Sequence, residues 1–156
     1  MMGKTNAIRI IEACEINYET FSYDVDESDL SGETVAKKVG ADPDTVFKTL
    51  VCNGDKTSHI VCCIPVTMEL NLKKAAAVSG NKKVEMIPMK ELLPLTGYIR
   101  GGCSPIGMKK LFPTFIDETA QLYDNIFISA GVRGTQIKLN PDDLLILVNG
   151  VYSELI

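Results

Sequence analysis

One lysine lies within a segment that is otherwise almost entirely apolar. Lys48 belongs to residues 46–52, where Thr49 is the other polar member. At the two-residue period of a strand, Lys48 shares a face with Leu50 and Cys52. Such a lysine either extends its ammonium to solvent at a sheet edge or holds it in a partly dry pocket. In a pocket, the ammonium could stabilise an oxyanion or bind a phosphate.

Glycines cluster in a second candidate segment, Gly97–Gly107, which contains four of them. Glycines allow the backbone to approach a ligand closely, and such a loop can direct N–H groups at an anion or a carbonyl oxygen. The segment lacks the Gly-Lys-Ser/Thr ending of a P-loop. A tight structural bend explains the glycines as well. Residues Ser129–Gly134 form a third turn of this kind, and a hairpin with a left-handed glycine is the alternative there.

Histidine and cysteine usage restricts the chemistry. His59 is the single histidine, and we assign it no role. The five cysteines show no C-x-x-C spacing, and their odd number favours reduced thiols. No recognisable set of metal ligands is present, so we expect neither a catalytic metal nor a cofactor. Cys103 stands next to Ser104 without a nearby histidine, which favours a packed small residue over a nucleophile.

Composition indicates a globular protein with an uneven charge distribution. The 156 residues are 46% hydrophobic and carry a formal net charge of −4. Residues 36–116 carry a net +6 between two acidic segments, so a basic face could contact a few phosphates, or the lysine doublets could simply be solvated. No apolar stretch has the length of a membrane span or a signal peptide. We therefore expect a soluble, cytoplasmic protein with one domain over residues 1–156.

Helix and strand signals alternate irregularly along the chain and predict an α+β fold. Local signals predict helix starts at Thr5 or Asn6, at Ser31 or Gly32, at Asn71 and at Asn140. Asn53-Gly54 predicts a hairpin turn between two apolar strands. Met86, Met89 and Met108 are interpreted as core residues. Strands are predicted in the following segments: 18–23, 46–52, 58–64, 84–87, 114–116, 126–130 and 136–139. These elements favour a mixed, curved β-sheet or partial barrel with interspersed short helices.

An ordered set of motifs resembles the YbaK family of aminoacyl-tRNA editing proteins. The motifs with the clearest likeness are Val46–Leu50, Gly97–Gly107 and Ser129–Gly134, and the likeness extends to Thr20–Tyr23, Leu70–Lys74 and Lys82–Met86. The nearest branch is that of the free-standing Cys-tRNA(Pro) deacylases, which are related to the editing insertion domain of prolyl-tRNA synthetases. The resemblance implies a YbaK-like fold and a trans-editing deacylase that removes cysteine from Cys-tRNA(Pro).

The resemblance also implies roles for individual residues. Lys48 would be the catalytic residue, contacting the phosphate or ribose end of the tRNA and supporting the leaving oxygen, while the substrate's own thiol attacks the ester. Backbone N–H groups of Gly101 and Gly102 would hold the acyl carbonyl. Gln136, where several family members have aspartate, would bind the α-amino group without a charge. The remaining expected substrate-binding residues are Tyr23, Thr49, Ser104, Ser129 and Gly131.

Two alternatives remain open from the sequence. The chain could deacylate tRNA charged with another small amino acid, alanine or serine. It could also be a non-catalytic module that binds tRNA or a nucleotide. Aminoacylated tRNA is the expected partner at its acceptor end, with prolyl-tRNA synthetase as a second one and no membrane.

Overall fold

Five short α-helices and eight strands form the part of the chain that the computed structural model describes, residues 4–156. The helices are α1 (Asn6–Ala13), α2 (Gly32–Val39), α3 (Leu72–Ser79), α4 (Leu92–Thr96) and α5 (Pro141–Leu147). The first four strands are β1 (Tyr18–Ser22), β2 (Phe47–Gly54), β3 (Ser58–Pro65) and β4 (Val84–Met86). The other four are β5 (Thr114–Asp117), β6 (Ile126–Ser129), β7 (Thr135–Leu139) and β8 (Val151–Ser153).

The strands form two sheets that meet at the beginning of β2. The larger sheet has the order β4-β2-β3-β5-β8, in which β4, β2 and β3 are antiparallel and β3, β5 and β8 are parallel. The smaller sheet is antiparallel, with the order β1-β7-β6. A parallel bridge between Val46 and Phe127 joins the two sheets. The predicted α+β class with a mixed sheet is thereby confirmed, and the two sheets do not close into a barrel.

Apolar side chains cover both faces of the larger sheet. The main core lies between the sheets and includes Phe47 and Val51 of β2. On the opposite face, Cys52 and Ile60 pack beneath α3. Residues 60–65 of β3 are all buried, as expected for a strand that is covered on both sides. Each buried Val, Leu or Ile contributes about 1.5–3 kcal/mol, so β2 and β3 form a rigid base for the side chains at their ends.

Capping bonds confirm the predicted helix starts and, where the sequence left two residues open, identify Thr5 and Ser31 as the caps. The side chains of Thr5, Ser31, Asn71 and Asn140 accept hydrogen bonds from backbone N–H groups in the first turns of α1, α2, α3 and α5. These bonds satisfy donors that have no partner inside the helix. No helix within residues 4–156 combines the length and apolarity needed to cross a bilayer.

The hairpin between β2 and β3 exists, but its turn lies further along the chain than predicted. Gly54 pairs with Ser58, so residues 55–57 form the turn. The amide oxygen of Asn81 holds it by accepting hydrogen bonds from the N–H groups of Lys56 and Thr57, at 2.8 and 3.0 Å. A Cβ on Gly54 would lie 2.3 Å from the Asn81 side chain. Gly54 therefore permits a close contact with a distant residue rather than forming the turn.

Strand β8 was not predicted from the sequence. It has only three residues, Val151–Ser153, and it pairs in parallel with β5. The residues after it are anchored through Asp117, whose carboxylate accepts a hydrogen bond from the Leu155 N–H at 3.0 Å. A strand this short gives too few alternations for a periodic signal.

Candidate functional site

Lys48 occupies the second position of β2, close to the junction of the two sheets. It pairs with Ile64 on β3, and its side chain is half-buried. Within residues 4–156 its ammonium has neither an ion pair nor a hydrogen bond. The residue lines two adjoining depressions, which we call the inner cavity and the outer groove. Lys48 is thus a cation presented to concave surface rather than one extended into open solvent.

The inner cavity lies where α2, the start of β2, the end of β6 and the start of β7 converge. Its volume is about 100 Å³. Its walls are formed by Gly32, Val35, Val46, Phe47, Lys48, Thr49, Val66, Gly101, Cys103, Ser129 and Gln136. The segments of this wall come from both sheets and from the glycine-rich loop. Lys48, Thr49, Gly101, Ser129 and Gln136 of the residues predicted from the sequence therefore share one small cavity.

Gln136 has hydrogen-bonding capacity that the protein does not use. The residue is 6% exposed, and its Oε1 is buried without a hydrogen-bond partner in the described part of the chain. An unsatisfied buried polar atom costs about 1–3 kcal/mol. Rotation of the amide exchanges its oxygen and NH₂ group, so Gln136 can offer the cavity an acceptor or a donor. A ligand that pairs with this amide would offset the cost.

Ser129 lies opposite Gln136 on the neighbouring strand. The two residues form a cross-strand pair between β6 and β7. The Ser129 Oγ accepts a hydrogen bond from the N–H of Gly131 at 3.1 Å. Because this bond uses an oxygen lone pair, the hydroxyl proton remains available to a ligand. The pair therefore contributes two neighbouring polar groups to the cavity wall, which Lys48 and Thr49 also line.

The glycine-rich loop reaches the cavity through Gly101. Gly101 has φ +82°, a left-handed conformation that favours glycine. Gly102 is buried, and its N–H donates to the Ile99 carbonyl at 2.9 Å, so this N–H is already engaged. A Cβ on Gly102 would lie 3.0 Å from backbone atoms of Val132 and Arg133. Gly102 thus lets two loops pack against each other and is not part of the cavity wall.

Three other predicted contact residues also lie outside the cavity wall. The Tyr23 N–H donates to the Gly134 carbonyl at 2.9 Å, which ties the end of β1 to the loop before β7. Ser104 is fully buried, and its Oγ accepts a hydrogen bond from the Ile106 N–H at 3.3 Å. Gly131 has φ +96°, and a Cβ there would lie 2.8 Å from the Tyr98 ring. The contacts of these residues shape the loops that carry the wall.

The inner cavity contains no pair of a base and a protein nucleophile among the residues that the structure describes. Burial raises the pKa of the Cys103 thiol to about 12, so the thiol is protonated at neutral pH. His59 lies on β3 with its ring edge-on to Phe112, at 5.8 Å between centroids, and does not line the cavity. These positions agree with the interpretation of Cys103 as a packed residue rather than a nucleophile.

The outer groove adjoins the inner cavity and is about twice as large. Its volume is about 210 Å³. The two depressions share four residues: Lys48, Thr49, Gly101 and Cys103. The remainder of the groove is apolar apart from Arg100, and it is formed by Leu50, Val51, Met86, Ile87, Met89 and Leu92. Lys48 therefore stands at the boundary between a small cavity with a polar end and a larger apolar groove.

Two methionines of the groove correct a prediction made from the sequence. Met86 and Met89 were expected in the core, but they are 46% and 59% exposed. Met86 ends β4, which is a three-residue edge strand, and Met89 begins the turn that follows Pro88. An edge strand has a neighbouring strand on one side only, so less of the protein packs against its side chains. Met86 and Met89 therefore remain at the surface. Pro88, which cannot continue a strand, is the sequence signal that pointed to this edge.

Most of the lysine doublets are engaged locally. Lys74 pairs with Glu154 at 2.6 Å, and Lys83 pairs with Glu85 at 2.9 Å. Lys38 donates to the Asp24 carbonyl at 2.7 Å. These contacts are those of a solvated surface, where ion pairs contribute little. Lys48 and Arg100 differ, because they are the cations that line the two depressions.

Small residues on α2 and on the segment after β3 also form the cavity wall, and the sequence reasoning missed them. Gly32 stands at the start of α2, and a Cβ there would lie 2.2 Å from a methyl carbon of Val66. This contact brings α2 close to the end of β3. A glycine at the first position of a helix, directly after its cap at Ser31, was the available signal. By itself, this glycine predicts only the start of a helix and not a close contact with Val66.

Comparisons with known proteins agree with this architecture. Residues 28–147 match the model of the aminoacyl-tRNA editing domain family. A candidate Cys-tRNA(Pro)/Cys-tRNA(Cys) deacylase of Enterococcus faecalis, EbsC, is 51% identical over 152 residues, which cover 97% of this chain and 93% of that protein.

Solved structures show the same fold at low sequence identity. A candidate trans-editing enzyme for prolyl tRNA synthetase is 23% identical with a TM-score of 0.81, covering 99% of this chain and 98% of that one. The hypothetical protein APE2540 is 17% identical with a TM-score of 0.87, covering 97% and 99%. The family match covers most of the chain and includes every residue that lines the inner cavity. The chain therefore belongs to the aminoacyl-tRNA editing domain family, as its motifs predicted.

Proposed function

We propose that this protein is a deacylase that removes cysteine from Cys-tRNA(Pro) in trans. Membership in the editing family and the 51% identity to EbsC support this activity. The physical need is clear, because cysteine and proline are close in size. A synthetase pocket separates side chains that differ by about one methylene by only ~1–3 kcal/mol. A separate enzyme that cleaves the wrong ester supplies the missing discrimination.

The observation that carries the proposal is the position of Lys48. The Lys48 ammonium is half-buried and has no partner among residues 4–156, and it lines a cavity of about 100 Å³ that the unused amide of Gln136 also lines. A cation in this position attracts the phosphate or ribose end of the substrate and stabilises negative charge on the leaving oxygen. The small volume of the cavity favours a small acyl group. Gln136 binds the α-amino group of that acyl group, and Ser129 donates a hydrogen bond beside it.

The bond-breaking step uses the substrate's own thiol. The thiol sulfur attacks the ester carbonyl, and a carbon–sulfur bond forms as the thiol proton leaves. The carbonyl–oxygen bond then breaks, and the ribose oxygen takes up a proton. The products are a cysteine thiolactone, which water opens, and tRNA with a free terminal hydroxyl. The protein's part is to hold sulfur and carbonyl in attack geometry, which can supply several kcal/mol.

The remaining predicted residues support this arrangement in two ways. Thr49 and Gly101 line the cavity beside Lys48, where Gly101 allows the acyl carbonyl to approach the backbone. Tyr23, Gly102, Ser104 and Gly131 act through the loops that they hold together. Prolyl-tRNA synthetase is the partner that would hand over the charged tRNA, and the enzyme would then work in the cytoplasm, where translation takes place.

A panel of charged tRNAs tests the proposal. We expect the protein to deacylate Cys-tRNA(Pro) and to spare Pro-tRNA(Pro), with Ala-tRNA and Ser-tRNA hydrolysed much more slowly. The cysteine product should be trapped as a thiolactone-derived adduct when a strong amine nucleophile is present. Faster cleavage of Ala-tRNA or Ser-tRNA would contradict the thiol mechanism. Binding of tRNA without any ester cleavage would show a non-catalytic module instead.

A further inference from the structure

The outer groove has a composition that the deacylation step does not require. Six of its side chains are apolar, and none of the carboxylates in residues 4–156 lines it. Met86 and Met89 leave long thioether side chains exposed at its rim. Apolar side chains gathered in a concave surface, rather than scattered singly, are typical of ligand-binding grooves. The groove therefore needs an occupant that is apolar on its faces and compatible with nearby positive charge.

We propose that the outer groove binds the adenine ring of the tRNA's terminal adenosine. This inference rests on the proposed function, since it assigns the second half of the same substrate. In an aminoacyl adenosine, the ribose stands between the acyl group and the base. The four residues shared by the inner cavity and the outer groove stand between the two depressions in the same way. The order of the two depressions thus matches the covalent order of the ligand.

The chemistry of the groove fits a purine held by its faces. Thioether and aliphatic side chains pack against the π-surface of a base, as methionine does against aromatic rings. The exposed guanidinium of Arg100 can stack on the ring or pair with the phosphate on its 5′ side. Few polar side chains are present to read the edge of the base. We therefore expect recognition by stacking and burial rather than by a pattern of hydrogen bonds.

The assignment also explains the place of Lys48. At the boundary of the two depressions, its ammonium stands beside the ribose and the ester rather than beside the base or the acyl side chain. This is the position from which a cation acts on the leaving oxygen. The groove would then fix the nucleoside while the inner cavity selects the acyl group.

Methyl NMR of the intact protein with labelled methionines tests the groove without relying on catalysis. The probe is adenosine 5′-monophosphate, and ribose 5-phosphate is the control that lacks the base. We expect saturable shifts of the Met86 and Met89 methyl signals with the nucleotide, because the ring current of the base lies against them. Met68 is also exposed, at 43%, but lines neither depression, so its signal should not move. Absence of shifts at Met86 and Met89, or equal shifts with the sugar phosphate, would overturn the inference.

A kinetic comparison separates this inference from the proposed function. Met89→Ala should raise the KM for Cys-tRNA(Pro) about fivefold while kcat stays within about twofold, because one stacking contact is lost. Met68→Ala, the matched control, should change neither. Wild-type deacylation together with an unchanged KM in Met89→Ala would refute the adenine groove and leave the proposed function intact. Nucleotide-induced methyl shifts in a protein without deacylase activity would refute the proposed function and leave the groove intact.

Discussion

The inner cavity and the outer groove share four residues but differ in which groups they leave without a partner. In the inner cavity the unused group is polar, the amide of Gln136, whereas in the groove it is the apolar surface of Met86 and Met89. A buried polar group without a partner is a site for a specific hydrogen bond. Exposed apolar side chains gain from contact with any surface of matching shape. Under the proposed function, the inner cavity would select the acyl group by hydrogen bonding, the groove would hold the nucleoside by apolar contact, and Lys48, which lines both depressions, would act between them.

The largest effect is expected at the residue that both regions share. Lys48→Ala should lower the deacylation rate by about 100- to 1,000-fold, as the loss of one electrostatic contact to a developing oxyanion does. Lys48→Arg should restore only part of the rate, because the planar guanidinium does not reproduce a compact ammonium. Rates on Cys-tRNA(Pro) measure this. Lys56→Ala, on the exposed hairpin turn, is the control and should behave as wild type. Full activity of Lys48→Ala would end the proposed mechanism.

The next largest effect concerns the contact between Gly102 and the loop that contains Val132 and Arg133. Gly102→Ala should lower the free energy of unfolding by about 1–3 kcal/mol, since its Cβ would press on the backbone of Val132 and Arg133. Displacement of the loop should also reduce deacylation, because Gly101 lines both depressions. Urea denaturation and single-turnover rates measure the two effects.

A second glycine separates stability from site geometry. Gly80 has φ +77° at the end of α3, but a Cβ there meets open space. Gly80→Ala should therefore lower stability by about 1 kcal/mol through backbone strain alone and leave the deacylation rate unchanged. If Gly102→Ala and Gly80→Ala both lose activity in proportion to their loss of stability, the contact of Gly102 with the neighbouring loop has no specific role in the site.

Gln136→Leu should lower activity without lowering stability. Replacing the amide with an apolar group of similar size removes an unsatisfied buried atom, so the free energy of unfolding should stay the same or rise by up to about 1 kcal/mol. The kcat/KM for Cys-tRNA(Pro) should fall about tenfold, because the α-amino group loses its partner. Chemical denaturation and steady-state kinetics test this pair of effects. A drop in stability without a drop in activity would assign Gln136 to the fold instead of the site.

The last effect, a dependence of stability on pH, appears only under alkaline conditions. Burial raises the pKa of Cys63 and of Cys103 to about 12, from an ordinary value near 9. Between these values the unfolded chain releases protons that the folded chain retains, so the free energy of unfolding should fall as the pH rises from 9 towards 12. Below pH 9 these thiols are protonated in both the folded and the unfolded state, so they do not make the free energy of unfolding depend on pH. Urea denaturation at several pH values measures the trend, and a flat or rising profile would contradict it.

Much of the fold could be predicted from local signals. Thr5, Ser31, Asn71 and Asn140 marked the starts of helices because a capping side chain acts on N–H groups two or three residues away. The apolar run of β3 was equally clear. The turn of the β2–β3 hairpin was misplaced because it depends on Asn81, which is 24 residues or more away in sequence.

The sequence predicted the chemical groups of the candidate site, but only some of the residues that line it. Lys48 was conspicuous because an isolated charge in an apolar strand needs an explanation. The glycine-rich loop was equally visible, but its sequence does not show which of its glycines line a cavity. Gly101 faces the cavity while Gly102 faces the backbone of another loop, and this difference arises from packing against Val132 and Arg133. No local pattern distinguishes two adjacent glycines in this way.

The sequence by itself determined the family, most of the elements up to β8 and the limited set of chemical groups, because these depend on residue identity and on neighbours a few positions apart. It also settled that a histidine mechanism could draw on His59 alone. Only the tertiary structure decided that Lys48, Gly101, Ser129 and Gln136 share one cavity, and that an apolar groove adjoins it. The reason is physical: a cavity is made from segments far apart in the chain, and its shape follows from how two sheets and a loop pack together.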